Sequence, residues 1–145
     1  GERTGEGIFK CVNGDKYVGQ FKEGYMCGMG TYTWKNGDIY TGQWKNDLQN
    51  GHGKLTKKSG DVFDGTFKDG KPDGQIIIHY ANGCKYKGTF KQGKRNGPAI
   101  EEDREGKRFE GSYLDDKRDG KFVEKDRNGK IVKTGHYEGG RRFDD

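Results

Sequence analysis

Long apolar runs are missing from this 145-residue chain, and no stretch approaches the roughly 18 residues that a membrane helix needs. Aliphatic side chains are scarce too. Leu, Ile, Val and Phe together number 23, about 16% of the chain and under the ~20% line that warns of disorder. A net charge of +5 is nevertheless too small to hold a chain open, and aromatics reach 12%. Because each ring buries roughly 150–250 Å², these rings can replace an aliphatic core. A large globular core is therefore excluded, whereas a thin architecture of aromatic residues and 27 glycines is not. Cysteine is also sparse: Cys11, Cys27 and Cys84 are odd in number and form no CxxC pair. That argues against a disulfide framework and a zinc site, and it reads as a reducing, intracellular setting. There is no signal-peptide pattern, and the chain opens with Gly1 rather than Met, as a trimmed portion of a longer protein would.

The glycines are phased. Gly14, Gly37, Gly60, Gly83, Gly106 and Gly129 follow one another at 23-residue steps, as do Gly5, Gly28, Gly51, Gly74, Gly97 and Gly120. Gly19, Gly42, Gly65, Gly88 and Gly111 make a third series, flanked by rings: Tyr17-Val-Gly-Gln-Phe21, Tyr40-Thr-Gly-Gln-Trp44, Phe63-Asp-Gly-Thr-Phe67, Tyr86-Lys-Gly-Thr-Phe90 and Phe109-Glu-Gly-Ser-Tyr113. A sixth copy, Lys133-Thr-Gly-His-Tyr137, arrives one residue late, which predicts a bulge or lengthened turn between Gly129 and Gly135. The period divides residues 1–145 into a half repeat (1–16), five full repeats (17–39, 40–62, 63–85, 86–108, 109–132) and a closing half (133–145).

Each repeat reads as a β-hairpin. Rings and glycine two residues apart share one strand face, and the alternate positions are mostly polar. Glycine on the ring face leaves room for neighbouring rings to cross the backbone. Asn13-Gly14, Asn36-Gly37, Asn82-Gly83 and Asn128-Gly129 are expected to close two-residue turns in which both central residues take positive φ. The result is an all-β protein of about twelve strands, a single-layer array of antiparallel hairpins with rings on one face and no helix.

The pattern Y-x-G-x-[FW]-K-x-G-x-x-[ND]-G-x-G, with its 23-residue period and closing Asn-Gly, resembles the MORN repeat (membrane occupation and recognition nexus) along essentially the whole chain. The resemblance implies an elongated, twisted hairpin array. It also implies a scaffold or adaptor on cytoskeletal or membrane-associated structures, or a module that precedes a catalytic domain.

The repeats also break their own pattern. Glu101 and Glu124 stand where Phe9, Tyr32, Leu55 and Ile78 stand earlier, and Asp103 and Asp126 replace Trp34 and Tyr80. These carboxylates either sit in water at a frayed end or form the acidic end of an aromatic groove suited to a basic segment. They are not gathered in one loop, which argues against calcium. Lys22, Lys45, Lys68 and Lys91 form a ladder on the face opposite the rings. Such a ladder keeps an open sheet soluble or meets anionic phospholipid headgroups. It lacks interleaved stacking rings, so nucleic acid is disfavoured.

Catalytic constellations are absent. The only serines, Ser59 and Ser112, and the three histidines, His52, His79 and His136, fall in separate repeats, and the period itself explains the Gly-x-Gly stretches. No enzyme, cofactor or metal site is expected within the chain. The leading reading is a scaffold that binds a partner segment, or a second copy of itself, through the ring face. The anchors would be Trp34, Tyr40, Trp44, Phe63, Phe67, Tyr80, Tyr86 and Phe90, with Glu101 and Glu124 favouring a basic segment. The alternatives are a peripheral module reading anionic lipid through the Lys ladder and an accessory part of a larger enzyme.

Overall fold

A computed structural model describes residues 4–145 and contains no helix among them. Its strands are β1 (Gly5–Lys10), β2 (Lys16–Lys22), β3 (Tyr25–Thr33), β4 (Ile39–Lys45), β5 (Leu48–Thr56), β6 (Val62–Lys68), β7 (Lys71–His79), β8 (Lys85–Lys91), β9 (Lys94–Glu102), β10 (Arg108–Leu114), β11 (Lys117–Arg118), β12 (Gly120–Lys125), β13 (Ile131–Glu138) and β14 (Arg141–Asp144). These exceed the expected twelve in part because β11 and β12 are one strand interrupted at Asp119, whose carbonyl accepts the Ser112 hydroxyl at 2.5 Å. The chain forms two compact units, one running to Lys71 and the other from Pro72 to Asp145. Within each, strands pair antiparallel with their neighbours in sequence, and among the described residues neither unit pairs its own first strand with its own last. Each unit is therefore an open array of hairpins.

Glycine pairs set how closely the strands approach. Gly42 faces Gly53 across β4 and β5. A Cβ on Gly42 would stand 2.5 Å from Gly53 Cα and 2.6 Å from the His52 carbonyl. The Tyr40 ring crosses Gly53 and its hydroxyl donates to the Gln43 carbonyl at 3.0 Å. Tyr17 repeats this over Gly30, with its hydroxyl on the Gln20 carbonyl. In both cases glycine makes room for a ring, as the alternation implied.

The turns correct the sequence reading. At the Asn-Gly sites only glycine has positive φ, for example Gly37 at 102°. Gly37 N–H donates to the Trp34 carbonyl at 3.0 Å, and Trp34 N–H to the Asp38 carbonyl at 2.9 Å. These are three-residue loops ending in a glycine bulge. Asn36 keeps negative φ because its side-chain oxygen accepts the Asp38 amide at 2.9 Å. The two-residue turns with both φ positive lie at the other end of the hairpins, as at Asn46–Asp47 (48°, 69°) and Asp115–Asp116 (48°, 70°). There aspartate tolerates the left-handed region and also stitches repeats together. Asp47 Oδ1 accepts Met26 N–H at 2.6 Å, and Asp116 Oδ1 accepts Arg95 N–H at 2.8 Å. The late sixth copy does carry a bulge: Glu124 pairs with Lys133 and Lys125 with Ile131, leaving Val132 as the extra residue.

Candidate functional site

Alternation along β2 and β4 puts Tyr17, Phe21, Tyr40 and Trp44 on one face of the first unit, where they pack with Phe67 as its core. The rings meet mostly edge to face: Tyr40 lies 5.2 Å from both Trp44 and Phe67, and Tyr17 lies 5.5 Å from Trp44. Trp44 Nε1 donates to the Gly30 carbonyl at 3.1 Å. Burial pushes the Tyr17 and Tyr40 hydroxyls up to about 12.

A second, half-buried row lies over this floor. Tyr32 packs against Trp34 at 4.8 Å with the ring planes tilted by 49°, and Leu55, Phe63 and Met26 pack alongside. Phe9 at the same repeat position is 45% exposed. Asp15 holds the row in place: its Oδ2 accepts the Tyr32 hydroxyl and its Oδ1 the Lys35 amide, both at 2.7 Å. Those two bonds keep the Asp15 carboxyl below the usual carboxylate range. The charge is thus spent on positioning the ring row.

Five of the expected anchors, Tyr40, Trp44, Phe67, Tyr86 and Phe90, are core residues covered by their neighbours. Burial removes them from any surface a partner reaches in this conformation. Trp34, Phe63 and Tyr80 remain half-buried. Sequence reasoning passed over Phe9, Tyr32 and Leu55 as anchors, although their shared 23-residue step placed them on the same face.

In the second unit the ring face is closed by the chain's own cations. Arg95, Arg118 and Arg142 occupy the repeat position of Met26 and Gln49, the last shifted by the Val132 insertion. Their guanidinium carbons lie 4.6, 3.7 and 4.6 Å from the ring centroids of Tyr113, Phe109 and Phe122. Arg118 donates to Glu101 Oε2 at 2.6 Å and to the Tyr137 hydroxyl at 3.1 Å, while Tyr113 donates to Glu101 Oε1 at 2.6 Å. Arg142 donates to Glu124 Oε1 at 2.6 Å. Burial works against charge on Arg118, but its bonds to Tyr113 and Glu101 outweigh that and raise its pKa. Glu101 and Glu124 do share the ring face, yet they are neutralised from within and do not stand open to a basic segment. Asp103 and Asp126 serve as turn caps: Asp103 Oδ1 accepts the Glu105 and Lys107 amides, and Asp126 Oδ1 those of Asn128 and Lys130. The sequence signal for the arginines was the recurring pair Lys94-Arg95, Lys117-Arg118 and Arg141-Arg142.

Lys22, Lys45, Lys68 and Lys91 are exposed, and none enters an ion pair among the described residues. No three His, Cys, Asp or Glu side chains converge as metal ligands among those residues.

Open antiparallel hairpins, repeated every 23 residues and ringed on one face, define a β-hairpin repeat protein. The chain belongs to the MORN-repeat family, whose model matches residues 1–16, 17–39, 40–62, 63–85, 86–108 and 109–130. No curated protein matches it in sequence. Among solved structures, it is similar to the SAS-4 (dCPAP) TCP domain of Drosophila melanogaster, solved in complex with a proline-rich motif of Ana2 (dSTIL). The identity is 14% and the TM-score 0.47, covering 97% of this chain and 88% of that one.

Proposed function

We propose that the chain is a non-catalytic protein-interaction module that docks a segment of a partner on the half-exposed ring row of its first unit, centred on Trp34. The observation that carries this reading is the Tyr32–Trp34 pair, its rings 4.8 Å apart and tilted by 49°, packed over a finished aromatic core. The repeat does not need a ring at Trp34, since Cys11, Lys57, Tyr80, Asp103 and Asp126 stand at the same position. A large apolar side chain that the fold can dispense with, left half-open beside Tyr32, is suited to binding. Once a partner is isolated by affinity capture, calorimetric titration against Trp34→Ala tests the reading. The substitution leaves the fold intact and costs about 2 kcal/mol of binding, roughly 30-fold in Kd. Full affinity in Trp34→Ala, with binding abolished by Lys45→Glu plus Lys68→Glu, would overturn it.

The unpaired lysines Lys22, Lys45 and Lys68 of the first unit, with Lys91 at the same repeat position in the second, favour a second reading in which each unit attaches to anionic phospholipid headgroups by itself. Their contribution is weakened by Glu23, Asp47 and Asp69 in the adjoining turns. Salt separates the two readings, because exposed charges are screened beyond about 8–10 Å near physiological ionic strength and ring contacts are not.

A further inference from the structure

We propose that the polar face of the second unit carries a separate docking site for an acidic, extended segment of a partner protein. A groove of about 600 Å³ opens on this face, lined among others by Gln75, Lys87, Thr89, Ile100, Ser112 and Lys121. Lys87 and Lys121 are exposed at its two sides, and neither enters an ion pair among the described residues. Three other bases of this unit do have partners: Arg108 faces Glu102 at 3.7 Å, Lys107 faces Glu105 at 3.8 Å, and Lys133 faces Asp144 at 3.5 Å. Glu110, the one carboxylate in the groove lining, lies 2.6 Å from Lys125 Nζ, an ion pair without hydrogen-bond alignment. The groove therefore keeps two uncompensated positive charges.

The positive charge continues beyond it. Lys87, Thr89 and Lys91 alternate on the same face of β8, and Lys91 pairs with Lys94 across the uncharged Gln92–Gly93 turn. The carboxylate nearest this turn, Asp73, accepts the Gln92 amide at 3.1 Å. Between the lysines Ile100, 42% exposed, and Pro98 supply apolar surface to the groove. Lys87 and Lys121 stand three strand spacings and two residues apart, about 16 Å, so about five residues of an extended chain span them. Alternating acidic and apolar side chains on such a segment meet the lysines and the Ile100 surface in turn.

The same geometry favours a peptide segment. Neighbouring strands rotate by about 20–25°, so the two lysines face directions that differ by about 60–75°, which suits a chain segment that follows the twist. No aromatic side chain lines the groove, which denies nucleic acid its stacking platform.

A fluorescein-labelled peptide of five Glu-Val repeats, titrated by fluorescence anisotropy in low salt, serves as the probe. The triple variant Lys87→Ala, Lys91→Ala, Lys121→Ala weakens the probe about tenfold, the sum of three exposed charge contacts. Trp34→Ala leaves probe binding unchanged, so this site and the ring row fail or stand separately. The control triple Lys10→Ala, Lys16→Ala, Lys54→Ala removes as much charge from the first unit and changes affinity less than about twofold. An equal loss in the control, which marks general attraction to a basic protein, overturns the proposal. So does a probe that the native chain fails to bind, or tighter binding of phosphatidylserine vesicles or oligothymidylate through the same three lysines.

Discussion

Tyr40 and Tyr86 occupy the same repeat position and are both fully buried, yet their hydroxyls differ. Tyr40 donates to the Gln43 carbonyl, whereas the Tyr86 oxygen is buried without a partner. Ala99 stands across from Gly88 where Gly53 stands across from Gly42, so a methyl group occupies the position that the Tyr40 ring crosses in the first unit. Tyr40→Phe accordingly costs about 1 kcal/mol, the net worth of a hydrogen bond, while Tyr86→Phe is neutral or stabilising because it removes an unsatisfied group. Urea unfolding of the two variants checks this, and equal losses would refute the difference. One repeat position thus holds two hydroxyl environments, and the neighbouring strand places glycine beside one ring and alanine beside the other.

Glycines that share the 23-residue step do different work within their hairpins. Gly42 sits where a Cβ would press on backbone of the next strand, but the space around Gly129 is open for 4 Å. Gly42→Ala costs about 1–3 kcal/mol through overpacking. Gly129→Ala costs only about 1 kcal/mol, from its positive φ of 85°. Thermal or chemical denaturation ranks them, and the reverse order would show that the strands can part. The hairpin pattern itself was legible, since rings and glycine two apart settle strand and face without any long-range information. Turn type was not. Asn-Gly serves both a two-residue turn and a three-residue loop, and the choice fell to the side chains of Asn13, Asn36 and Asn82, which accept the amide two residues on.

At the level of the whole molecule, aspartates join successive hairpins in both units, as Asp116 does for Arg95 in the second, and the second unit adds an arginine clamp. In the first unit aspartates reach forward to the next repeat, Asp15 to the Lys35 amide and Asp38 to the Lys58 amide. In the second unit Arg118 ties Glu101, Tyr113 and Tyr137 together over the Phe109 ring. Arg118→Ala leaves Glu101 uncompensated on a half-buried face, at a cost of about 2 kcal/mol. Because a repeat array is held by nearest neighbours, amides of β9 to β13 exchange faster in this variant and those of β2 to β4 do not. Hydrogen exchange by mass spectrometry reads both regions at once. Equal acceleration in β2 to β4 would mean that the array opens as one block.

The repeat period, the hairpins, the ring face and the late sixth copy followed from the amino-acid order alone. All of them rest on spacings of two to 23 residues within one chain. Which rings are covered, which carboxylates are neutralised and which lysines stay unpaired was decided only in three dimensions. Trp34 and Trp44 are both large rings on one face, and Trp34 is half-open because Trp44 receives Tyr17, Tyr32 and Tyr40 from three strands while Trp34 receives Tyr32. Glu101 is closed by Arg118, seventeen residues on, through a contact made only when β11 folds back against β10. Burial and charge pairing depend on what the neighbouring hairpin places opposite a side chain, and in this chain each hairpin places something different.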